Sequence, residues 1–317
     1  MANLEDAAHF LRGADKILIL SHRSPDGDTL GCASALSRAL IALGKSVMFR
    51  CADPVPPKFT YLFEGIEYGE FEPEHIVTVD VADKTLLGSL EPYGDKTDFA
   101  IDHQASCRPF AKETWVEGTA GAACELIARL IPALGAEITP KIADCLYTGI
   151  ATDSGCFKYS NTSPQTHVYA AELMKLGADI VPINYAMFDM KSQGRLKLEQ
   201  LALSKIRYYS SGRIAVIDVT QSLIDSIDGI DSEDVGALSA IPRQIEGVDI
   251  GICIKEKNPG FYKVSLRSSE NADVAAIAQQ FGGGGHARAA GCAFETSLED
   301  AEKQIVWACA KALGNAT

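Results

Sequence analysis

The first half of the chain alternates short apolar runs with longer stretches whose apolar residues recur at helical spacing. Lys16–Leu20 (KILIL), Val47–Cys51, Ile76–Val79 and Phe99–Ile101 have the length and composition of buried strands. Between and after them, Thr29–Leu43 places Leu36, Leu40 and Leu43 on one helical face, and Ala122–Leu130, Ile138–Ile150 and Pro164–Leu176 read as further helices. Gly177 closes the last of these. Strands alternating with helices predict an α/β fold with a mostly parallel sheet. Around Ser192–Lys205 the pattern becomes a polar helix with few apolar positions, which reads as a linker. Beyond it, strands are expected at Ile214–Val219, Val248–Ile254 and Tyr262–Leu266, followed by a glycine run and a helix over Leu298–Leu313. The expected plan is a domain over residues 1–190, a linker helix over 191–205 and a smaller α+β domain over 206–317, with an active-site cleft between the domains.

Composition narrows the class. With 47% hydrophobic and 22% charged residues among 317, the chain reads as globular, with length enough for a large core. No apolar run is long enough to span a bilayer. The N-terminal MANLEDAAHFLRGADK is acidic where a signal peptide would be basic, so a cytoplasmic protein is expected. The nine cysteines are irregularly spaced, with no CxxC pair, which argues against a disulfide framework or a structural zinc site. Net charge is −13, and residues 206–317 carry 10 Lys/Arg against 15 Asp/Glu. Neither half is basic, as tight binding of long nucleic acid requires. A short phosphorylated substrate remains open, a membrane partner is not expected, and a homodimer is allowed.

The chemistry concentrates at the ends of elements. His22, Asp26 and Asp28 fall within the loop SHRSPDGDTLG, which follows the first strand. In open α/β sheets, ligands bind beyond the carboxyl ends of strands. The competing reading is a plain strand–helix connection with Asp28 as helix N-cap. Asp80 ends HIVTVD, Asp102-His103 ends FAIDH and Asp153 ends YTGIATD. So many carboxylates and imidazoles at element ends favour a metal centre over a set of caps. Oxygen and imidazole donors without thiolate favour manganese, magnesium, iron or cobalt. Four carboxylates would balance two dications, which can activate a water and stabilise in-line displacement at phosphorus.

These stretches resemble the DHH phosphoesterase family: His22-x-x-x-Asp26-x-Asp28, Asp80 in VDVAD, Asp102-His103 in IDHQ and Asp153 in TGIATDSG. Phe281–Gly291 (FGGGGHARAAG) is similar to the glycine-rich signature of the DHH-associated C-terminal domain. The order and coverage look closest to the NrnA-like subgroup of oligoribonucleases and 3′-phosphoadenosine-5′-phosphate phosphatases. The resemblance implies two divalent ions, manganese first with magnesium or cobalt as alternatives. His22, Asp26 and Asp80 would hold one ion; Asp28, Asp80, His103 and Asp153 the other, with Asp80 bridging. Asp80, Asp102, His103 and Gln104 would form the catalytic group, Asp102 by orienting its neighbours. Gln104 stands where the family triplet has its second histidine; it can donate an amide hydrogen bond but carries no proton charge.

For the second domain, the resemblance implies substrate recognition by Arg267, Ser268, Gly283, Gly284, Gly285, His286 and Arg288. Glycine amides can approach a phosphate closely. Tyr208 and Tyr209 read as packing strand residues. The implied activity is metal-dependent hydrolysis of short oligonucleotides, in the manner of a 3′–5′ exoribonuclease, or of a nucleoside 3′,5′-bisphosphate. A phosphodiesterase for cyclic or linear dinucleotides is the alternative, as is a non-catalytic nucleotide sensor in which Gln104 marks lost activity.

Overall fold

The computed structural model describes residues 1–314, apart from the side chains of 232 and 233. Two compact units divide at Met190/Lys191.

The first unit runs α1 (Leu4–Gly13), β1 (Ile17–Leu20), α2 (Gly27–Ala42), β2 (Val47–Arg50), β3 (His75–Val79), β4 (Phe99–Asp102), β5 (Glu113–Val116), α3 (Ala123–Leu134), α4 (Pro140–Asp153), α5 (Pro164–Lys175) and α6 (Ile180–Asn184). Its five strands are all parallel, in the order β2-β1-β3-β4-β5. Every residue of β1 is buried, as strands covered on both faces require. The strand order reverses at β1, so a crevice opens beyond the carboxyl ends of β1 and β3. The loop after β1 carries His22, and Asp80 follows β3 directly.

Helix α2 departs from the expected one-sided helix. It is buried almost all round, because α4 packs closely against it. Gly31 makes this possible: a Cβ there would lie 2.5 Å from the Cys145 carbonyl oxygen. Leu36 and Leu40 are fully buried, but Leu43 is a half-exposed C-cap outside the apolar face. The pattern also passed over α1 and the edge strand β5, whose run ETWV is short and begins with a charge.

The second unit contains α7 (Gln193–Leu203), β6 (Arg207–Tyr209), β7 (Ile214–Val219), α8 (Gln221–Asp225), α9 (Ser232–Ala237), β8 (Ile250–Asn258), β9 (Phe261–Ser268), α10 (Val274–Gln279), β10 (Gly284–His286), β11 (Ala289–Glu295) and α11 (Leu298–Ala312). Its mixed sheet has the order β10-β11-β9-β8-β7-β6, parallel only between β7 and β8. One face buries Ile252, Val264 and Leu266 with α10 and α11. The other packs Ile217, Val219 and Cys253 beneath Leu198 and Ala202 of α7. The stretch read as a linker therefore lies within the second unit, anchored by two apolar residues four apart on α7. All nine cysteines are free thiols. Among the described residues, no helix is long and apolar enough to cross a membrane.

Candidate metal centre

Six side chains from four segments of the first unit meet at the crevice. The donor atoms of His22, Asp26 and Asp80 lie within 4.8 Å of one another, as do those of Asp28, His103 and Asp153. Asp80 stands between the groups. One of its carboxylate oxygens is 3.6 Å from His22 Nε2, and the other is 3.7 Å from His103 Nε2. His103 Nε2 is also 3.7 Å from Asp28 and 3.6 Å from Asp153, and His22 Nε2 is 3.7 Å from Asp26. These separations are too long for hydrogen bonds. Among the described residues, no Lys or Arg forms an ion pair with any of the four carboxylates.

The backbone sets both imidazoles. His22 Nδ1 is 2.8 Å from the Arg23 carbonyl and His103 Nδ1 is 3.1 Å from the Ala120 carbonyl. A carbonyl only accepts, so each ring carries a proton on Nδ1 and turns Nε2 towards the carboxylates. Asp80 holds φ of 54°, a left-handed conformation uncommon outside glycine. Its amide donates to the Ile101 carbonyl at 2.8 Å.

The competing reading, with Asp28 as the cap of its helix, does not hold. Asp26 is the N-cap of α2, accepting from the amides of Asp28 and Thr29 at 3.0 and 3.2 Å. Asp28 lies inside the first turn and reaches α3 instead, accepting from Ala123 N at 2.6 Å and Cys124 N at 2.9 Å. A carboxylate at a helix N-terminus gains from the exposed amides and the dipole. Asp102 accepts from the amides of His103 and Gln104 with one oxygen; its other oxygen is buried without a partner. It does not reach the two donor groups but shapes the loop that carries His103. Gln104 Nε2 donates to Asp80 at 3.5 Å.

Crowded carboxylates in a partly buried crevice are electrostatically frustrated. Burial and neighbouring carboxylates push Asp80 up to about 8 and Asp153 up to about 7. Burial also raises Asp28. For the imidazoles burial opposes protonation, but the carboxylates outweigh it: Asp26 and Asp80 lift His22 to about 11, and Asp28 and Asp80 lift His103 to about 9. Burial pushes Asp26 up as well, but His22 holds it below its ordinary range. A divalent cation would relieve this field, and hard oxygen with neutral imidazole nitrogen is a donor set that fits one. Asp28 also lies beside Cys32 and Cys124, whose sulfurs are 3.4 Å apart. Burial raises both thiols well above their usual value, so they remain protonated.

Sequence reading missed Asn161. Its Nδ2 donates to the Asp153 carboxylate at 3.2 Å and to the Gly121 carbonyl at 2.9 Å. An Asn eight residues beyond the end of α4 offers no periodic signal; only the fold brings it to Asp153.

The glycine run of the second unit is more ordered than a flexible turn. The amides of Gly282 and Gly283 donate to the Gln279 and Ala278 carbonyls at the end of α10, so neither is free for an anion. The missing Cβ of Gly283 admits Gly291 and Cys292 of β11. Gly285 takes φ of 140° and makes close contact with Ala289 and Ala290. Gly284 is exposed, and a Cβ there would meet open space. His286 is opposite Ala289, which is opposite Arg267, so these lie on one row of one sheet face. Ser268 Oγ donates to the Ala272 and Ala287 carbonyls, and Arg288 Nη1 to the Ala272 carbonyl. Both therefore brace the turn in this structure, a role that local sequence did not reveal.

Comparison with known proteins agrees with this layout. Residues 16–150 match the DHH family N-terminal domain, and residues 219–313 match the DHHA1 domain. The chain is similar to the bifunctional oligoribonuclease and PAP phosphatase NrnA of Thermus thermophilus, with 29% identity over 307 residues, 95% of this chain and 91% of that protein. Among solved structures, an exopolyphosphatase-related protein from Bacteroides fragilis superposes with a TM-score of 0.86 at 26% identity, covering 97% of this chain and 96% of that one. Exonuclease RecJ bound to manganese gives a TM-score of 0.52 at 16% identity, covering 100% of this chain and 94% of that one, a likeness of fold alone.

Proposed function

With a DHH domain followed by a DHHA1 domain, the chain belongs to the DHH family, and we propose that it hydrolyses phosphate esters of short oligonucleotides and of 3′-phosphoadenosine-5′-phosphate. On oligonucleotides the reading is stepwise 3′–5′ removal of nucleotides, by an enzyme of the cytoplasm. The observation that carries it is Asp80, whose two carboxylate oxygens face separate histidine–carboxylate groups.

In this reading His22, Asp26 and Asp80 hold one divalent ion, and Asp28, Asp80, His103 and Asp153 hold a second. Manganese is the first choice, with magnesium or cobalt as alternatives. Such ions, when bound, make water a nucleophile near neutral pH and offset negative charge growing on the phosphate. The protein's own groups do the positioning. The Arg23 and Ala120 carbonyls keep the ring protons on Nδ1, so both Nε2 atoms remain donors. The amides of α3 fix the position of the Asp28 carboxyl, and Asn161 holds Asp153. Asp102 fixes the loop, and the Gln104 amide is left to orient Asp80 or a phosphate oxygen. In the second unit, Arg267, His286 and the backbone at Gly284 bind the nucleotide.

The test is a panel of dinucleotide, cyclic dinucleotide, 3′-phosphoadenosine-5′-phosphate and pyrophosphate, assayed with each metal. Turnover of the dinucleotide and the bisphosphate is expected with Mn²⁺ and is lost on chelation. Asp80→Asn should abolish turnover and reduce bound metal. Two ions retained at wild-type affinity in that variant would refute the bridging role.

A further inference from the structure

The turn that follows α4 carries an exposed aromatic ring between two residues of the metal centre. Tyr159 is 62% exposed. Asp153 precedes it at the end of α4, and Asn161, which donates to the Asp153 carboxylate at 3.2 Å, follows it. The backbone between them is fixed. The Gly155 amide donates to the Thr152 carbonyl at 3.1 Å and the Cys156 amide to the Ala151 carbonyl at 2.7 Å. The Phe157 amide donates to Ser154 Oγ at 3.0 Å, and the amides of Lys158 and Tyr159 share the Ser154 carbonyl, each at 3.0 Å. Gly155, Cys156 and Phe157 take φ of 58°, 56° and 62° in succession. Left-handed backbone is uncommon for a side chain as large as Phe157, whose ring stacks on His167 at 5.0 Å between centroids. Backbone held in this way clusters at binding and catalytic sites.

The Tyr159 ring rests on Gly155. A Cβ at Gly155 would lie 2.4 Å from Tyr159 Cζ and 2.5 Å from each Cε. The two Cε atoms are equally near and the hydroxyl oxygen is no nearer, so the glycine meets a face of the ring and not its edge. With that face on Gly155, the exposure of the residue belongs to the opposite face. A single exposed apolar side chain is ordinary on a protein surface. This one differs in its place beside Asp153, in its fixed backbone and in its open flat face. Covering Gly155 would need only an aliphatic side chain. A flat aromatic face held in water is what a nucleobase stacks on.

We propose that Tyr159 is the stacking platform for the nucleobase of the nucleotide whose phosphate lies at the metal centre. The proposal rests on the phosphoesterase reading and adds a specificity-determining residue to it. Stacking does not read the hydrogen-bonding edge of a base, so all bases bind. Purines bind ahead of pyrimidines, because they cover more of the ring. The platform also ranks substrates: a dinucleotide and a nucleoside bisphosphate gain from it, and pyrophosphate, with no base, gains nothing.

The experiment is calorimetric titration of the full chain with Mn²⁺, using adenosine 5′-monophosphate and ribose 5-phosphate, with the adenine absorbance followed in parallel. Wild type is expected to bind the nucleotide more tightly than the sugar phosphate, and the adenine band to lose intensity on binding, the mark of a stacked base. Tyr159→Leu keeps an apolar cover on Gly155 and removes the ring. It should weaken binding of the nucleotide about 5- to 150-fold and abolish the absorbance change, with affinity for ribose 5-phosphate and bound manganese at wild-type values. Tyr159→Trp should restore both signals. If Tyr159→Leu does not fold, Tyr159→Trp carries the test by tightening the nucleotide and not the sugar phosphate. Equal affinity of wild type for the two ligands, an absorbance change that survives in Tyr159→Leu, or a tryptophan variant that tightens neither ligand would overturn the platform. Ring-dependent nucleotide binding without turnover of any panel substrate would preserve the platform and sink the hydrolase. Turnover of the panel with wild-type nucleotide affinity in Tyr159→Leu would do the reverse.

Discussion

At the scale of single residues, Gln104 stands where the resemblance to the DHH family implies a second histidine. Its amide is 3.5 Å from Asp80, near enough to influence whatever Asp80 holds. A histidine there would titrate close to neutral pH, which glutamine cannot do. Gln104→His is expected to raise kcat/KM on at least one nucleotide and to add a limb to the pH–rate profile between about 6 and 7, with metal content unchanged. Profiles of wild type, Gln104→His and Gln104→Ala decide this; an alanine variant equal to wild type at every pH would remove Gln104 from the reaction. Glu199 gives a stability prediction away from the metals. Burial alone would raise its carboxyl, but Lys191 and Arg195 at 2.8 and 3.0 Å hold it below the ordinary glutamate range. A depressed folded-state pKa contributes stability that is fully present above the unfolded value, about 4.3. That contribution is lost as pH falls through the lower folded value. Wild type should therefore exceed Glu199→Gln in denaturant midpoint at pH 7, and the gap should close below pH of about 4. A gap independent of pH would show that the ion pairs do not matter.

At the scale of elements, the centre depends on how closely α2, α3 and α4 pack. A Cβ at Gly149 of α4 would meet Cys124 Sγ and lie 2.8 Å from Asp28 Oδ1. Gly27 likewise leaves room for Thr152. Gly149→Ala should cost about 1–3 kcal/mol through overpacking and weaken metal binding by displacing Asp28. Thermal denaturation with a metal titration checks both; a stable variant with unchanged metal affinity would mean that the helices separate without disturbing Asp28. Periodicity located these helices well, because Leu and Ile at regular spacing report burial. It did not report how close two helices come, since glycine leaves no apolar signal. The glycine run of the second unit shows the same gap. Its composition suggested a phosphate loop, while two of its amides cap α10 and its last two glycines pair as an edge strand.

At the scale of the whole molecule, a net charge of −13 and a crevice of four carboxylates favour cations as partners. Mn²⁺ at about 100 times its dissociation constant should stabilise the protein by about 2.7 kcal/mol, read as a higher Tm that chelation reverses. Asp80→Asn should lose this gain and, without metal, unfold at a higher temperature than wild type, because the amide ends the cost of keeping a carboxyl whose anion is disfavoured by burial and its neighbours. A metal-free variant less stable than wild type would show that the carboxylates are not frustrated. Neither unit offers a basic track, so short oligonucleotides should be cut better than long ones. Equal kcat/KM on a dinucleotide and a 20-nucleotide strand would count against that.

The sequence by itself determined the elements and the chemical identity of the crevice, because burial imposes a period on apolar residues and strand ends expose the residues that follow them. His22, Asp26, Asp28, Asp80, His103 and Asp153 could be named as candidates from local context and family resemblance. Tertiary structure alone decided that Asp26 rather than Asp28 caps α2, and that Asp28 reaches across 95 positions to the amide of Ala123. It alone placed Asn161 on Asp153, and Arg243 over Gly251. Such contacts join positions far apart in the chain, or use carbonyls and amides that every residue carries. No local pattern of side chains can announce them; they exist only once the backbone has been brought together.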